Sequence, residues 1–109
     1  MYIYNVTFLV EHLEKEGFLQ WMRTEGLPAL VNAESPAREP RLTMVAEVPG
    51  DPSFGADACS FAFQVEFPDL LQARQWAEDY LQPVLGKYTL RFGAEKALCF
   101  ATILEEVNL

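Results

Sequence analysis

The chain has 109 residues, half of them apolar and 13% aromatic, and eight basic against sixteen acidic side chains give it a net charge of −8. That length is one domain, residues 1–109, able to bury roughly two-thirds of its unfolded surface in a single core, and the composition excludes a disordered chain. The acidic balance excludes nucleic acid and anionic membrane surfaces as main partners, because like charges repel.

Cys59 and Cys99 are too few for a disulfide framework and form no CxxC-type metal pair. The N-terminal apolar stretch lacks a basic flank, and no run approaches the about 18 apolar residues of a membrane span. A cytoplasmic protein is the expectation. Asn5-Val6-Thr7 fits a glycosylation sequon, but it lies inside a predicted strand and reads as a chance match.

Residues 2–10, YIYNVTFLV, are β-branched and aromatic and predict a central strand. Tyr2, Tyr4, Val6, Phe8 and Val10 share one face; Ile3, Asn5, Thr7 and Leu9 share the other. Over residues 12–25 the period becomes helical, with Phe18, Trp21, Met22 and Glu25 at three- and four-residue spacing. Gly26-Leu27-Pro28 predicts an interruption, Pro28 to Asn32 a second short helical piece, and residues 34–40, with two prolines, an extended loop. Residues 41–48 alternate as a strand, with Leu42, Met44, Ala46 and Val48 against Arg41, Thr43, Val45 and Glu47. A turn-rich segment, residues 49–57, joins it as a long hairpin to residues 59–67. There Cys59, Phe61, Phe63, Val65 and Phe67 oppose Ser60, Ala62, Gln64 and Glu66, the pattern of a sheet with one buried face. Asp69 is a predicted N-cap, and Ala73, Trp76, Ala77, Tyr80 and Leu81 form the apolar stripe of a second helix. Pro83 should break or kink that helix near Gln82 before a further helical segment that Gly93 ends. Residues 96–107 predict a final strand whose facing the pattern leaves open.

The order β-α-β-β-α-β is that of the split-βαβ, ferredoxin-like sandwich. The predicted class is α+β: a four-stranded antiparallel sheet of order 4-1-3-2 with both helices on one face. The other face, with Ile3, Leu9 and Ala62 and conditionally Leu98, Phe100 and Leu104, is then uncovered. Pairing two copies about a twofold axis is the simplest way to cover it, so a homodimer is expected.

Short clusters spread along the whole chain carry a resemblance. Ile3-Tyr4-Asn5-Val6-Thr7, Trp21-Met22, Leu27-Pro28, Arg91-Phe92-Gly93 and Phe100-Ala101-Thr102-Ile103-Leu104-Glu105 resemble an uncharacterised bacterial family of small domains of unknown function. The resemblance implies the dimeric α/β-barrel superfamily, in which two ferredoxin-like protomers pack their helix-free faces together. That superfamily holds cofactor-free monooxygenases, muconolactone isomerases, haem-degrading enzymes and ligand-sensing domains, a breadth that selects no single function. A histidine commonly precedes the Leu/Ile-Pro pair in the resembled family. Here that position is Gly26, so a proton-transfer role for such a histidine does not apply.

No glycine-rich phosphate loop, nucleophile elbow or histidine cluster is present, and neither a cofactor nor a metal is predicted. His12, the single histidine, is read as a solvent-exposed residue at the start of the first helix. Cys59 and Cys99 fall on the third and fourth strands, two spacings or ~9–10 Å apart across the first, too far for a disulfide. They read as buried, reduced and inert. One polar constellation stands out: Asn5, Thr7, Gln64 and Glu66 occupy the second faces of the two central strands. In a dimer they would line a cleft of mixed polarity able to take a small, partly apolar molecule, or they would bond across the interface. The pattern favours a non-catalytic binding module. The alternative is a cofactor-independent monooxygenase or isomerase with Glu66 as base and Asn5 and Gln64 orienting a substrate carbonyl.

Overall fold

Strand β1 (Tyr2–Glu11) pairs antiparallel with β3 (Ala58–Phe67) along one edge and with β4 (Leu98–Glu105) along the other. Strand β2 (Arg38–Met44) adds to the far side of β3, giving the order β2-β3-β1-β4, which is the expected 4-1-3-2 read from the opposite edge. The computed structural model describes residues 1–46, 48–50, 58–93, 95 and 97–109; most of the predicted 49–57 hairpin loop lies outside them.

The period-two pattern of the central strands becomes burial directly. Val6, Phe8, Phe63, Val65 and Phe67 are fully buried, and Tyr4, Val10, Cys59 and Phe61 nearly so. Both helical layers pack on this one face. Phe18 of α1 (Lys15–Trp21) sits 5.3 Å from Phe8 and 4.8 Å from Phe61, centroid to centroid. Trp76 of α3 (Leu70–Trp76) lies 5.4 Å from both Tyr4 and Phe67. Aromatic pairs at such separations add to the burial of their area. The Asp69 cap is in place, its carboxylate accepting the Gln72 N–H at 2.7 Å.

Two of the expected helix breaks are absent. The chain runs from α1 through a π-turn (Met22–Gly26) into α2 (Leu27–Leu30), and from α3 through a second π-turn (Ala77–Leu81) into α4 (Gln82–Phe92). In each, the residue before the proline donates five residues back, Leu27 to Met22 and Gln82 to Ala77. An α-helical proline lacks its N–H and presses its ring on the carbonyl four residues earlier; the wider turn relieves that collision, and the helix continues. Gly26 lies buried in the first of these turns, where a β-carbon would come within 2.6 Å of the Met22 sulfur. Strand β2 also begins earlier than the prolines suggested. Its register slips between Arg38 and Arg41, and Glu39 takes a positive φ of 52°, a bulge that admits Pro40 on an edge strand.

Buried polar atoms tie the layers together. Trp76 donates its indole N–H to the Leu30 carbonyl at 3.1 Å, joining the second helical layer to the end of the first. The Tyr88 hydroxyl lies 3.3 Å from the Leu9 carbonyl and 3.4 Å from that of Leu98, beneath the β1–β4 pair. Burial, with the nearby Cys99 second, pushes the Tyr88 phenol up to about 12. Replacing Trp76 by Phe therefore costs about 1 kcal/mol in chemical denaturation, and by Ala about 3–5 kcal/mol. The Tyr88 phenol is held protonated in the fold but ionises near 10 when unfolded. The folded state thus binds the extra proton between these values, and stability falls as pH rises from about 10 to about 12. Tyr88→Phe should flatten that fall in pH-dependent thermal melts.

Candidate functional site

The sheet face opposite the helices carries the other half of each alternation. Antiparallel pairing stacks it into cross-strand rows. Gln64 faces Asn5, which faces Thr102; Ala62 faces Thr7, which faces Phe100; Glu66 faces Ile3, which faces Leu104. The facing of β4, open in the sequence, is thereby fixed. Cys99 and Ile103 pack against the core, while Leu98, Phe100 and Leu104 lie on the helix-free face, 48%, 58% and 41% exposed.

Three of the four predicted site residues form one hydrogen-bonded line. The Gln64 amide donates to Asn5 Oδ1 at 3.1 Å, and the Asn5 amide donates to Thr7 Oγ1 at 3.2 Å. The direction of donation leaves the Thr7 hydroxyl hydrogen at the end of the line, beside Phe100. Each amide retains one further N–H. Glu66 stands on the same face but outside this line. It lines a depression of about 80 Å³ with Ile3, Glu39, Arg41 and Gln64. Arg41 and Glu39 are the residues that sequence reasoning left out of the site. The signal was present for Arg41, on the polar face of β2 and opposite Gln64 in register, whereas Glu39 depends on the bulge.

A second pairing departs from expectation. His12 is exposed, as read, but it is not isolated: its Nδ1 lies 3.2 Å from the sulfur of buried Cys59. Cys99 is half-buried rather than buried, and that burial pushes its thiol up. The two sulfurs belong to β3 and β4 with β1 between them. Among the described residues, no group of three or more His, Cys, Asp or Glu side chains is placed to hold a metal ion, and no helix is long and apolar enough to cross a membrane.

The architecture has a counterpart among solved structures. An ethyl tert-butyl ether (EthD) family protein from Bacillus halodurans C-125 is similar over 98% of this chain and 100% of its own, with a TM-score of 0.65 and 18% identity. At that identity the likeness is one of fold. Comparison with curated proteins gives no match. The model of a family described as a domain of unknown function, DUF4286, matches residues 1–107. That match spans all but the last two residues, and the chain belongs to this family.

Proposed function

We propose that the protein is a homodimeric, non-catalytic binding module. Two copies would pack their helix-free sheet faces together and hold a small, partly apolar molecule in the cleft between them. The observation that carries this reading is the composition of that face. Leu98, Phe100 and Leu104 are exposed on one face of β4, with Thr102 between the last two, and the Gln64–Asn5–Thr7 line runs beside them. Apolar area left in water costs roughly 25 cal/mol per Å², and a twofold partner presenting the same face removes that cost for both copies. The similarity in fold to the EthD family protein is compatible with such an arrangement.

A ligand in this cleft would touch Asn5, Thr7, Gln64 and Glu66. Its apolar part would rest on Phe100, and an acceptor atom would meet the Thr7 hydroxyl at the end of the donor line. Arg41 and Glu66 would flank its polar end. One donor of each amide is spent on its neighbour, Gln64 on Asn5 and Asn5 on Thr7, which fixes both side chains and leaves one N–H of each for a polar group of the ligand.

A thermal-shift screen of metabolites tests the site. A ligand at about a hundred times its Kd should stabilise the wild-type protein by about 2.7 kcal/mol, and Glu66→Ala should lose most of that gain. Equal stabilisation of both proteins would reject the site. Phe100→Glu places a charge on the apolar edge of the proposed interface. It should elute as a monomer in gel filtration while keeping its circular dichroism, because Phe100 makes no part of the helix-side core.

A further inference from the structure

The depression beside the Gln64–Asn5–Thr7 line holds charges of both signs. Ile3, Glu39, Arg41, Gln64 and Glu66 line its volume of about 80 Å³. Register places them. Arg41 stands opposite Gln64, and Ile3 stands opposite Glu66 in the next row along β3. Glu39 is brought in by the bulge between Arg38 and Arg41, where it takes a left-handed backbone, φ 52°, that residues with a side chain rarely adopt. Among the described residues, no ion pair or side-chain hydrogen bond engages Arg41, Glu39 or Glu66, although the opposite charges share one small depression. Arg38, opposite Glu66 in register, makes no ion pair with it either and stays out of the lining. Gln64 spends one N–H on Asn5 and keeps the other. The guanidinium and that N–H are donors for a carboxylate, and the two carboxylates are acceptors for an ammonium group.

We propose that this depression takes the head group of a free α-amino acid with an apolar side chain. The proposal rests on the reading of the helix-free face as a binding site and names the class of molecule bound there. The ligand carboxylate accepts from Arg41 and from the remaining Gln64 N–H. Its ammonium group donates to Glu66 and Glu39. A space of about 80 Å³ holds a few water molecules and is well below the about 300–1,000 Å³ that encloses a drug-sized ligand. It therefore fits the head group, and the side chain leaves it. The row Glu66–Ile3–Leu104 sets the exit. Ile3 is the apolar wall of the depression, and Leu104 lies one strand further, on the same exposed face as Phe100. A side chain the size of leucine's, methionine's or phenylalanine's crosses Ile3 toward that surface, whereas the methyl group of alanine stays short of it. A charged side chain would lose water against Ile3 and Leu104 without gaining a partner.

Isothermal titration calorimetry of the wild-type protein reads the class directly. The probes are L-leucine, 4-methylpentanoate, which lacks its ammonium group, and 3-methylbutylamine, which lacks its carboxylate. L-Leucine should bind at least about tenfold more tightly than either, and about tenfold more tightly than L-alanine. The net charge of −8 by itself favours the amine, so the lead of the zwitterion over the amine is diagnostic. Arg41→Gln should weaken L-leucine about tenfold and abolish its lead over 3-methylbutylamine. Glu66→Gln should do the same against 4-methylpentanoate, and the wild-type series alone decides if a variant does not fold. No binding of L-leucine, L-methionine or L-phenylalanine at millimolar concentration, an analogue bound as tightly as L-leucine, or unchanged L-leucine affinity in either variant would overturn the proposal. A ligand of another class whose stabilisation is lost in Glu66→Ala would overturn it too, while keeping the binding face. L-Leucine bound equally well by a monomeric Phe100→Glu protein would support the amino-acid site and overturn the cleft between two copies.

Discussion

Strand β1 is hydrogen-bonded on both edges and must satisfy two environments at once. Its even-numbered residues, Tyr4, Val6, Phe8 and Val10, are buried under both helical layers, while Ile3, Asn5, Thr7 and Leu9 are half-buried on the opposite side. A slip of one residue in either ladder would exchange these sets and put Asn5 and Thr7 among the aromatic rings. The aromatic contacts of Phe8 with Phe18 and Tyr88, and of Tyr4 with Trp76, therefore fix the register as well as the core. Everything on the helix-free face inherits its position from that constraint, including the Gln64–Asn5–Thr7 line and the apolar edge along β4.

That constraint explains why so much was legible in the sequence. The alternations of β1 and β3 each identify two faces, and their pairing brings Asn5 opposite Gln64 without further information. What failed to read did so for local reasons. Pro28 and Pro83 signal helix ends only if the helix keeps α geometry; a π-turn ahead of each proline removes the conflict, and nothing in residue type marks such a turn. Pro36 and Pro40 suggested an extended loop over residues 34–40, whereas an edge strand with a bulge takes in Pro40. The facing of β4 was open because apolar residues fall on both of its sides, and only pairing with β1 distinguishes Phe100 from Ile103.

The two polar groupings differ in how they arise. The open-face line follows from alternation within two strands. The His12–Cys59 contact follows from where β1 stops, since the chain must turn there toward the helical layer that Cys59 faces. A strand end is the least certain boundary to read in a sequence, and so the pair was invisible until the register of β1 against β3 was known. Arg41 shows a milder version of this. Its face was evident, but its position opposite Gln64 required the bulged register of β2.

The central claim is that the helix-free face is made to be covered by a second copy of itself. Leu98, Phe100 and Leu104 face away from the core and are exposed on the helix-free side of the sheet. Sedimentation equilibrium of the unmodified protein across a dilution series down to about ten micromolar tests this without any substitution. The account predicts a particle of twice the 12.4 kDa chain mass at the top of the series. A mass of one chain throughout would contradict it.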